Sequence, residues 1–308
     1  MEKSGKTSLI NYDIKLLSLS LISLFVGCIK EDCPLSEETY QKVHILPVWD
    51  ENSNKPGGIR ITYYSLESKK YAQENLSPDG GITDIRKGDY SLILCNNDSE
   101  KIRFRNTSSY DTHEAYTGKI SRPSYDNPVP DEETFDQPDV LWWDKIDTFS
   151  ITDDPKVINF YPKQIVRKYE GEIQVEGMEN VQAIRGAMTG MITTFRLNGK
   201  QVGGKPGTVF FDAHSQKEEV AFSFLSFGVY EREEYGDSLK HYLTLEFLLP
   251  NGIVSRRIDV TQQMDSIRAG GAFDIDQPIV IPPDTTDNNN GFNGNVSDWD
   301  EIFYPIGI

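Results

Sequence analysis

The chain has 308 residues and carries 48 acidic against 31 basic side chains, which gives a formal net charge of −17. No dense run of Lys or Arg offsets this surplus, and this argues against binding to nucleic acid or to an anionic lipid surface. The length is sufficient for two domains of ordinary size.

An apolar run over residues 16–26 lies near the start of the chain and ends at Gly27-Cys28. It is well short of the roughly 20 apolar residues that a membrane-spanning helix needs, and lysines precede it, so it predicts a cleaved export signal over 1–27. The small Gly27 followed directly by a cysteine resembles the lipobox of bacterial lipoproteins, in which Cys28 is acylated, for example with palmitate. The alternative is an ordinary secretory signal with a chance cysteine.

The residues after Cys28 indicate where the anchored chain goes. Lys30, Glu31 and Asp32 resemble the tag of one lysine and two acids that routes Bacteroidetes lipoproteins to the outside of the outer membrane. Two or three acyl chains hold a protein firmly at a membrane where one chain holds it only marginally. We therefore expect a lipid-tethered linker over 28–41 and a protein of the cell outer membrane that faces the outside.

Two further cysteines, Cys33 and Cys95, remain once Cys28 carries lipid. Export leads to a compartment that permits disulfides. Cys33 precedes the first predicted strand and Cys95 ends a later one, so a bridge would clip the amino terminus to the first sheet. The alternative is two buried or separate thiols.

Short runs rich in Val, Ile, Tyr and Phe follow the tether and are broken by clusters of Gly, Pro, Asn and Asp. This pattern is typical of an all-β chain. Ile59, Ile61 and Tyr63 recur at every second position, which is the period of a half-buried strand. The strands predicted for an N-terminal β-sandwich over 42–152 are 42–49, 58–65, 81–85, 89–96, 101–105, 112–117 and 145–152.

A stretch rich in Pro, Asp and Glu over 121–139 predicts a long surface loop. Beyond it the strand pattern returns, and Asn251-Gly252 between two apolar runs predicts a β-hairpin. The segment 180–191 fits either a short helix or a bulged strand. The strands predicted for a C-terminal β-sandwich over 153–283 are 157–160, 165–175, 207–212, 220–230, 241–249, 253–260 and 273–281.

The last residues, 284–308, combine an Asn-rich linker with an apolar tail. After Trp299, the residues Ile302, Tyr304 and Ile306 recur at every second position, which indicates a strand. Such a strand can dock in its own sandwich. It can instead complete an exposed sheet edge of a neighbouring subunit, where main-chain hydrogen bonds would supply the affinity.

A set of motifs along both halves carries a family resemblance. The motifs are Gly88-Asp89-Tyr90 and the segments 94–100, 104–107, 138–142, 186–191 and 258–261. They resemble those of an uncharacterised family of Bacteroidetes surface lipoproteins related to fimbrillin-type adhesins and to fimbrial anchor and minor subunits. The resemblance implies two tandem transthyretin-like β-sandwich domains, fimbrial or other surface protein subunits as partners, and no catalytic residue.

A search for catalytic or metal-binding patterns in the sequence finds none. The histidines His44, His113, His214 and His241 lack the paired spacing of a zinc site. No Gly-Xaa-Ser-Xaa-Gly elbow and no phosphate-binding glycine loop is present. We therefore expect no enzyme activity, no metal and no cofactor.

Trp142 and Trp143 follow the acidic stretch and are the best candidates for a partner or glycan contact, because an indole face can stack on the apolar face of a pyranose. The alternative is structural, since large aromatic side chains can close the seam between two sandwiches. We expect a role in cell adhesion or fimbria assembly as an anchor, tip or accessory subunit. The alternative function is a surface lipoprotein that binds host or dietary glycan for a nutrient-uptake system.

Overall fold

The computed structural model describes residues 39–282, except 52, 155, 200, 201 and 231–238. These residues form an almost entirely β structure, so the predicted all-β class is confirmed. They also contain the helix α1 (Thr261–Ser266) and a short 3-10 helix (Met178–Asn180). No helix in this part of the chain is long and apolar enough to cross a membrane.

Short strands account for most of the described residues and are numbered in chain order. They are β1 (Tyr40–Pro47), β2 (Ile59–Ser65), β3 (Tyr71–Leu76), β4 (Gly81–Arg86), β5 (Gly88–Asn96), β6 (Ile102–Arg105), β7 (Glu114–Thr117), β8 (Thr134–Asp136), β9 (Trp142–Ile151), β10 (Lys156–Phe160), β11 (Lys163–Gln164), β12 (Arg167–Glu176), β13 (Ala183–Met191), β14 (Thr194–Arg196), β15 (Val202–Gly203), β16 (Gly207–Gln216), β17 (Glu219–Ser226), β18 (Tyr242–Leu249), β19 (Gly252–Asp259), β20 (Gly271–Ala272) and β21 (Ile279–Val280).

The first half of the chain forms a sandwich of two sheets. One sheet has the strand order β10-β1-β4 and the other the order β11-β9-β5-β2-β3. Alternate residues of each strand point inward, so Val43 and Ile45 of β1 share one core with Leu92 and Leu94 of β5. Strand β10 pairs in parallel with β1. The first sandwich therefore extends past the boundary that the sequence placed between residues 152 and 153.

The second half is built around one large sheet with the order β19-β18-β13-β16-β17-β12-β20. Its apolar face encloses a core to which α1 and the segment around β21 also contribute. Aromatic rings stack at the centre of this core, where the ring centroid of Phe211 is 4.9 Å from that of Phe224 and 5.8 Å from that of Phe222. Strand β21 lies near the end of the described residues and pairs in parallel with β12, so it adds to the sheet of this half.

Two local features of the second half bear on the predictions. Strands β18 and β19 form the predicted hairpin, with Leu249 opposite Gly252. The segment 180–191 is mainly strand β13, and its register against β16 shifts between Met188 and Met191. Gly190 has a φ of 77°, in the left-handed region that glycine adopts readily. The bulged strand, and not the short helix, is therefore the correct alternative for most of this segment.

A four-stranded sheet with the order β15-β14-β7-β6 joins the two halves, because β6 and β7 come from the first and β14 and β15 from the second. An apolar layer, here called the seam, connects this sheet to the outer face of the five-stranded sheet. Ile93 and Cys95 of β5, Ala115 of β7 and Leu197 after β14 are fully buried in it. The two halves of the chain therefore share the seam, in addition to the core that each has of its own.

The acidic stretch 121–139 lies against the second half. It contains β8, which pairs in parallel with β16. Arg122 donates a hydrogen bond to the Glu246 carboxylate at 2.9 Å, and Tyr125 packs edge-on against Phe210 with ring centroids 5.0 Å apart. The stretch lies at the surface, where only Pro138 is buried, so the prediction of a long surface loop holds apart from β8. The sequence did not show that arginine and tyrosine side chains anchor this loop to the sheet.

Candidate interaction sites

The adjacent residues Trp142 and Trp143 point to opposite faces of the five-stranded sheet, because side chains alternate along β9. Trp143 packs against the seam. There its Nε1 donates a hydrogen bond to the Leu197 carbonyl at 2.8 Å, and its ring meets Phe195 edge-on at 5.2 Å between centroids. Trp142 contributes instead to a cleft at one end of the first sandwich. The two indoles therefore do not form a common platform.

The cleft, here called the tryptophan cleft, has a volume of about 760 Å³. It lies where the β1–β2 connection, the start of the β5–β6 connection and the residues before β9 meet. Trp142 contacts Trp49 edge-on, with ring centroids 5.5 Å apart and an interplanar angle of 88°. The Nε1 of Trp49 donates to the Pro78 carbonyl at 2.8 Å, which fixes that second indole. Loops carried on a rigid sandwich are a common place for binding residues.

Hydrogen bonds hold the polar floor of the cleft. Asn96 accepts the backbone N–H of Trp142 at 2.8 Å through Oδ1 and donates from Nδ2 to Asp98 at 2.7 Å. The backbone N–H of Gly57 donates to the other oxygen of Asp98. Burial alone would raise the pKa of Asp98, but the hydrogen bonds from Asn96 and Gly57 lower it below its ordinary value. Asp98 is therefore ionised at neutral pH.

The open edge of the first sandwich is a second candidate site. Within the described residues, β3 pairs along its length only with β2, and β4 only with β1. A single bridge between Ser77 and Gly80 joins β3 to β4 at their turn. A groove of about 350 Å³, here called the edge groove, lies between these two strands. An unpaired strand edge is a template for the addition of another strand.

The backbone of β3 presents hydrogen-bonding groups to this open edge. At the start of the β2–β3 hairpin, the N–H of Ser65 donates to the Lys70 carbonyl at 2.9 Å. Hydrogen-bonded pairs alternate along antiparallel strands, so the N–H and C=O groups of Tyr71, Gln73 and Asn75 point away from β2. Strand β3 can therefore accept a partner strand without losing its own pairing.

Side chains inside the edge groove add polar groups. Thr83 of β4 donates a hydrogen bond to Glu74 of β3 and so links the two walls. The hydroxyl of Tyr63 is buried and has no hydrogen-bond partner among the described residues. Burial raises the pKa of Tyr63 well above its ordinary value, so this hydroxyl stays neutral.

The titratable groups buried in the first half are closed off from solvent. Burial raises the pKa of the Cys95 thiol to about 12. His113 lies with its Nδ1 2.6 Å from the Tyr64 hydroxyl, and burial lowers its pKa to about 4. Both side chains are therefore neutral at pH 7. Among the described residues, no group of three or more His, Cys, Asp or Glu side chains is placed to hold a metal ion.

Most of the predicted site residues lie outside the described residues. They are the lipidation site Cys28, the tag residues Lys30, Glu31 and Asp32, the cysteine Cys33, and the tail residues Trp299, Ile302, Tyr304 and Ile306. Cys95 forms no disulfide within the described part of the chain. Its bridge to Cys33 stays a prediction.

Sequence analysis missed several residues at these sites. Trp49, Asn96 and Gln164 meet Trp142 only through folding, because they come from separate segments with no common local pattern. Strand β3 was also missed, since its sequence is mostly polar and most of its residues are exposed. An edge strand of this kind lacks the alternation that marks a half-buried strand.

These features define an all-β protein whose halves share a core, with a loop cleft and an open strand edge on the first sandwich. The model of the family described as "Domain of unknown function (DUF5119)" matches residues 27–212, more than half of the chain. The chain belongs to this family.

Known relatives extend the likeness over nearly the whole chain. A Bacteroides ovatus protein named "Putative fimbrium anchoring subunit Fim4B" is 26% identical over 329 aligned residues, which cover 94% of this chain and 97% of the relative. This name agrees with the fimbrillin-type resemblance that the motifs predicted. A crystal structure titled as "a putative adhesin from Bacteroides ovatus ATCC 8483" matches with a TM-score of 0.68 and 22% identity, over 83% of this chain and 97% of that chain. At this identity the structural match shows the fold alone.

Proposed function

We propose that the chain is a non-enzymatic surface lipoprotein of the outer membrane that acts in cell adhesion or fimbria assembly, as an anchor, tip or accessory subunit. The observation that carries the proposal is the likeness to the relative named as a fimbrium anchoring subunit, which spans 94% of this chain and 97% of the relative. Cys28 would carry the lipid, and the tag Lys30-Glu31-Asp32 would direct the chain to the outer face.

The edge groove supports this function because it offers a place for an extended segment of a partner subunit. The outward N–H and C=O groups of Gln73 would pair with the added strand, as in other cases of strand addition. Lys70 and Arg86 together with Glu74 and Asp84 give the groove charges of both signs. The partner strand would therefore gain main-chain hydrogen bonds and side-chain contacts of mixed polarity.

The edge groove also lies close in sequence to the proposed anchor. Tyr40, the first residue of β1, lines it. The linker from Cys28 to this residue reaches at most about 40 Å when fully extended. A partner held in the groove would therefore stay close to the membrane, as an anchoring role requires.

A pull-down from outer membranes in mild detergent tests the function and its contact site. The full chain is compared with Gln73→Pro and with the matched variant Gln73→Thr. Proline removes the outward N–H of residue 73 and is tolerated at sheet edges, whereas threonine keeps the N–H and favours strand structure. We expect fimbrial or other surface subunits with the wild-type chain and with Gln73→Thr, and their loss with Gln73→Pro.

The other outcomes separate the parts of the proposal. No surface subunit recovered with the wild-type chain would contradict the function itself. Equal recovery with Gln73→Pro would contradict the edge groove as the contact, and loss on truncation after Asn290 would then assign the contact to the apolar tail. For the anchor, Cys28→Ser should move the chain from the membrane fraction to the soluble fraction, and retention in the membrane would contradict lipidation.

A further inference from the structure

We propose that the tryptophan cleft binds a neutral oligosaccharide. This goes beyond the proposed role in adhesion or assembly and does not rest on it. The cleft volume of about 760 Å³ lies within the range of roughly 300–1,000 Å³ that is usual for ligand pockets. It has room for more than one sugar ring.

The aromatic part of the site is Trp142. Its backbone N–H is tied to Asn96, and its ring is held against Trp49, so the indole is fixed before any ligand arrives. Trp142 is half-buried, and its Nε1 donates to no described residue, so both the ring and the N–H are open to a ligand. A pyranose can use both groups, because its C–H face packs on an aromatic ring and its hydroxyl oxygens accept hydrogen bonds.

The polar part of the site consists of side chains around this indole. Gln164 lies directly opposite Trp142 in the β9–β11 pairing. The side chains of Asp50, Asn54 and Gln164 line the cleft and make no hydrogen bond to any described residue. They offer both donors and acceptors, which matches sugar hydroxyls, since each hydroxyl can donate and accept.

The lining also selects among ligand classes. Asp50, Asp98 and Asp139 line the cleft together with one basic residue, Lys55, whose ammonium is 2.7 Å from Asp79. This excess of negative charge disfavours acidic sugars. A hydrophobic peptide is also a poor fit, because Pro56 and Val140 are the only other apolar residues of the lining. Uncharged hydroxyl-rich ligands remain the best match.

Titration of the full chain in mild detergent tests the proposal. The probes are the neutral oligosaccharides maltoheptaose, cellohexaose, xylohexaose and chitohexaose, with heparin and polygalacturonate as acidic probes, followed by calorimetry. We expect saturable binding of at least one neutral probe. Trp142→Ala should weaken that binding at least tenfold, Trp142→Phe should keep most of it, and Gln164→Ala should weaken it about threefold.

A matched control separates the cleft from general effects of aromatic loss. Tyr161 is 58% exposed and does not line the cleft, so Tyr161→Ala should bind as the wild-type chain does. No binding of any neutral probe at millimolar concentration, unchanged binding by a folded Trp142→Ala variant, or preference for an acidic probe would overturn the proposal. The pull-down described above does not depend on sugar binding, so the two proposals fail separately.

Discussion

Arg122 donates a hydrogen bond from Nη1 to Oε2 of Glu246 at 2.9 Å, and this ion pair ties the acidic stretch 121–139 to the second half of the chain. The two side chains are only 13% and 1% exposed. The guanidinium of Arg122 also lies 4.1 Å from the centroid of the Phe210 ring. Because both charges are largely removed from water, each depends on the other for compensation.

Arg122→Ala should therefore lower the free energy of unfolding by about 3–5 kcal/mol, since it leaves the Glu246 carboxylate buried without its partner. The double variant Arg122→Met/Glu246→Leu should regain most of this loss, because it removes both charges and retains apolar volume. Lys119→Ala is the control, as its pair with Glu133 is 63% and 60% exposed, and it should cost less than about 1 kcal/mol. Urea unfolding measures all three, and a small effect of Arg122→Ala would contradict a structural role for the pair.

The two tryptophans of β9 should respond differently to the same substitution. Trp143→Phe removes the donor that the Leu197 carbonyl now has at 2.8 Å, and should destabilise the chain by about 1–3 kcal/mol. Trp142→Phe removes an N–H that bonds to no described residue, so its cost should be smaller. Urea unfolding of both variants checks this order, and equal losses would contradict the opposite placement of the two side chains.

Strands whose apolar residues alternate could be predicted from the sequence. Ile59 and Ile61 are fully buried in the first core, as their alternation predicted, and the hairpin at residues 249–252 forms as its turn residues indicated. Strand β3 could not be predicted, because an exposed edge strand has no apolar face to reveal it. The acidic stretch is the surface loop that its composition predicted, but its anchoring to the second half could not be predicted, because the partners of Arg122 and Tyr125 lie far away in the sequence.

The candidate sites could be predicted only in part. The pair Trp142-Trp143 stood out as large aromatics, and the period of a strand already separates neighbouring side chains onto opposite faces. Which face lines a cleft and which meets the seam depends on Trp49, Asn96 and Leu197, which come from three other segments. Such contacts are set by how the sheets pack and leave no local pattern in the chain.

His113 should make stability depend on pH. Burial, with a smaller contribution from the nearby Arg60, lowers the pKa of His113 from 6.5 to about 4. Between these values the unfolded chain binds a proton that the folded chain does not, so stability falls as the pH drops from 6.5 towards 4. The shift corresponds to roughly 3 kcal/mol.

Replacement of this side chain tests the assignment. His113→Gln should lose this part of the pH dependence, whereas substitution of the exposed His214 by Gln should leave the dependence as in the wild-type chain. The measurement is the free energy of unfolding in urea at intervals between pH 4 and pH 7.5. Parallel curves for wild type and His113→Gln would show that His113 is not the responsible group.

Glu132 should change stability with pH in the direction opposite to that of His113. Burial raises its pKa above the ordinary value of 4.5, although hydrogen bonds from the Gly190 N–H and the Thr208 hydroxyl oppose the shift. Between pH 4.5 and the raised pKa of the folded state, the folded chain therefore holds a proton that the unfolded chain has released, so this group makes stability fall as the pH rises through that interval. Glu132→Gln should become progressively more stable relative to wild type over that interval. Glu133→Gln, at a side chain that is 60% exposed, should not show this trend.

Cys95 should resist alkylation in the folded protein. Its side chain is 0% exposed in the seam, and burial raises the pKa of the thiol to about 12, so neither access nor thiolate is available to iodoacetamide at pH 8. Mass spectrometry of the peptide that contains Cys95 should show no modification before unfolding, and rapid labelling would contradict a closed seam. Labelling on unfolding alone identifies a buried free thiol. Labelling that needs reduction as well identifies a disulfide. If Cys33→Ser removes the need for reduction, Cys33 is the partner; if the need remains, the partner is Cys28, which would also contradict its proposed acylation.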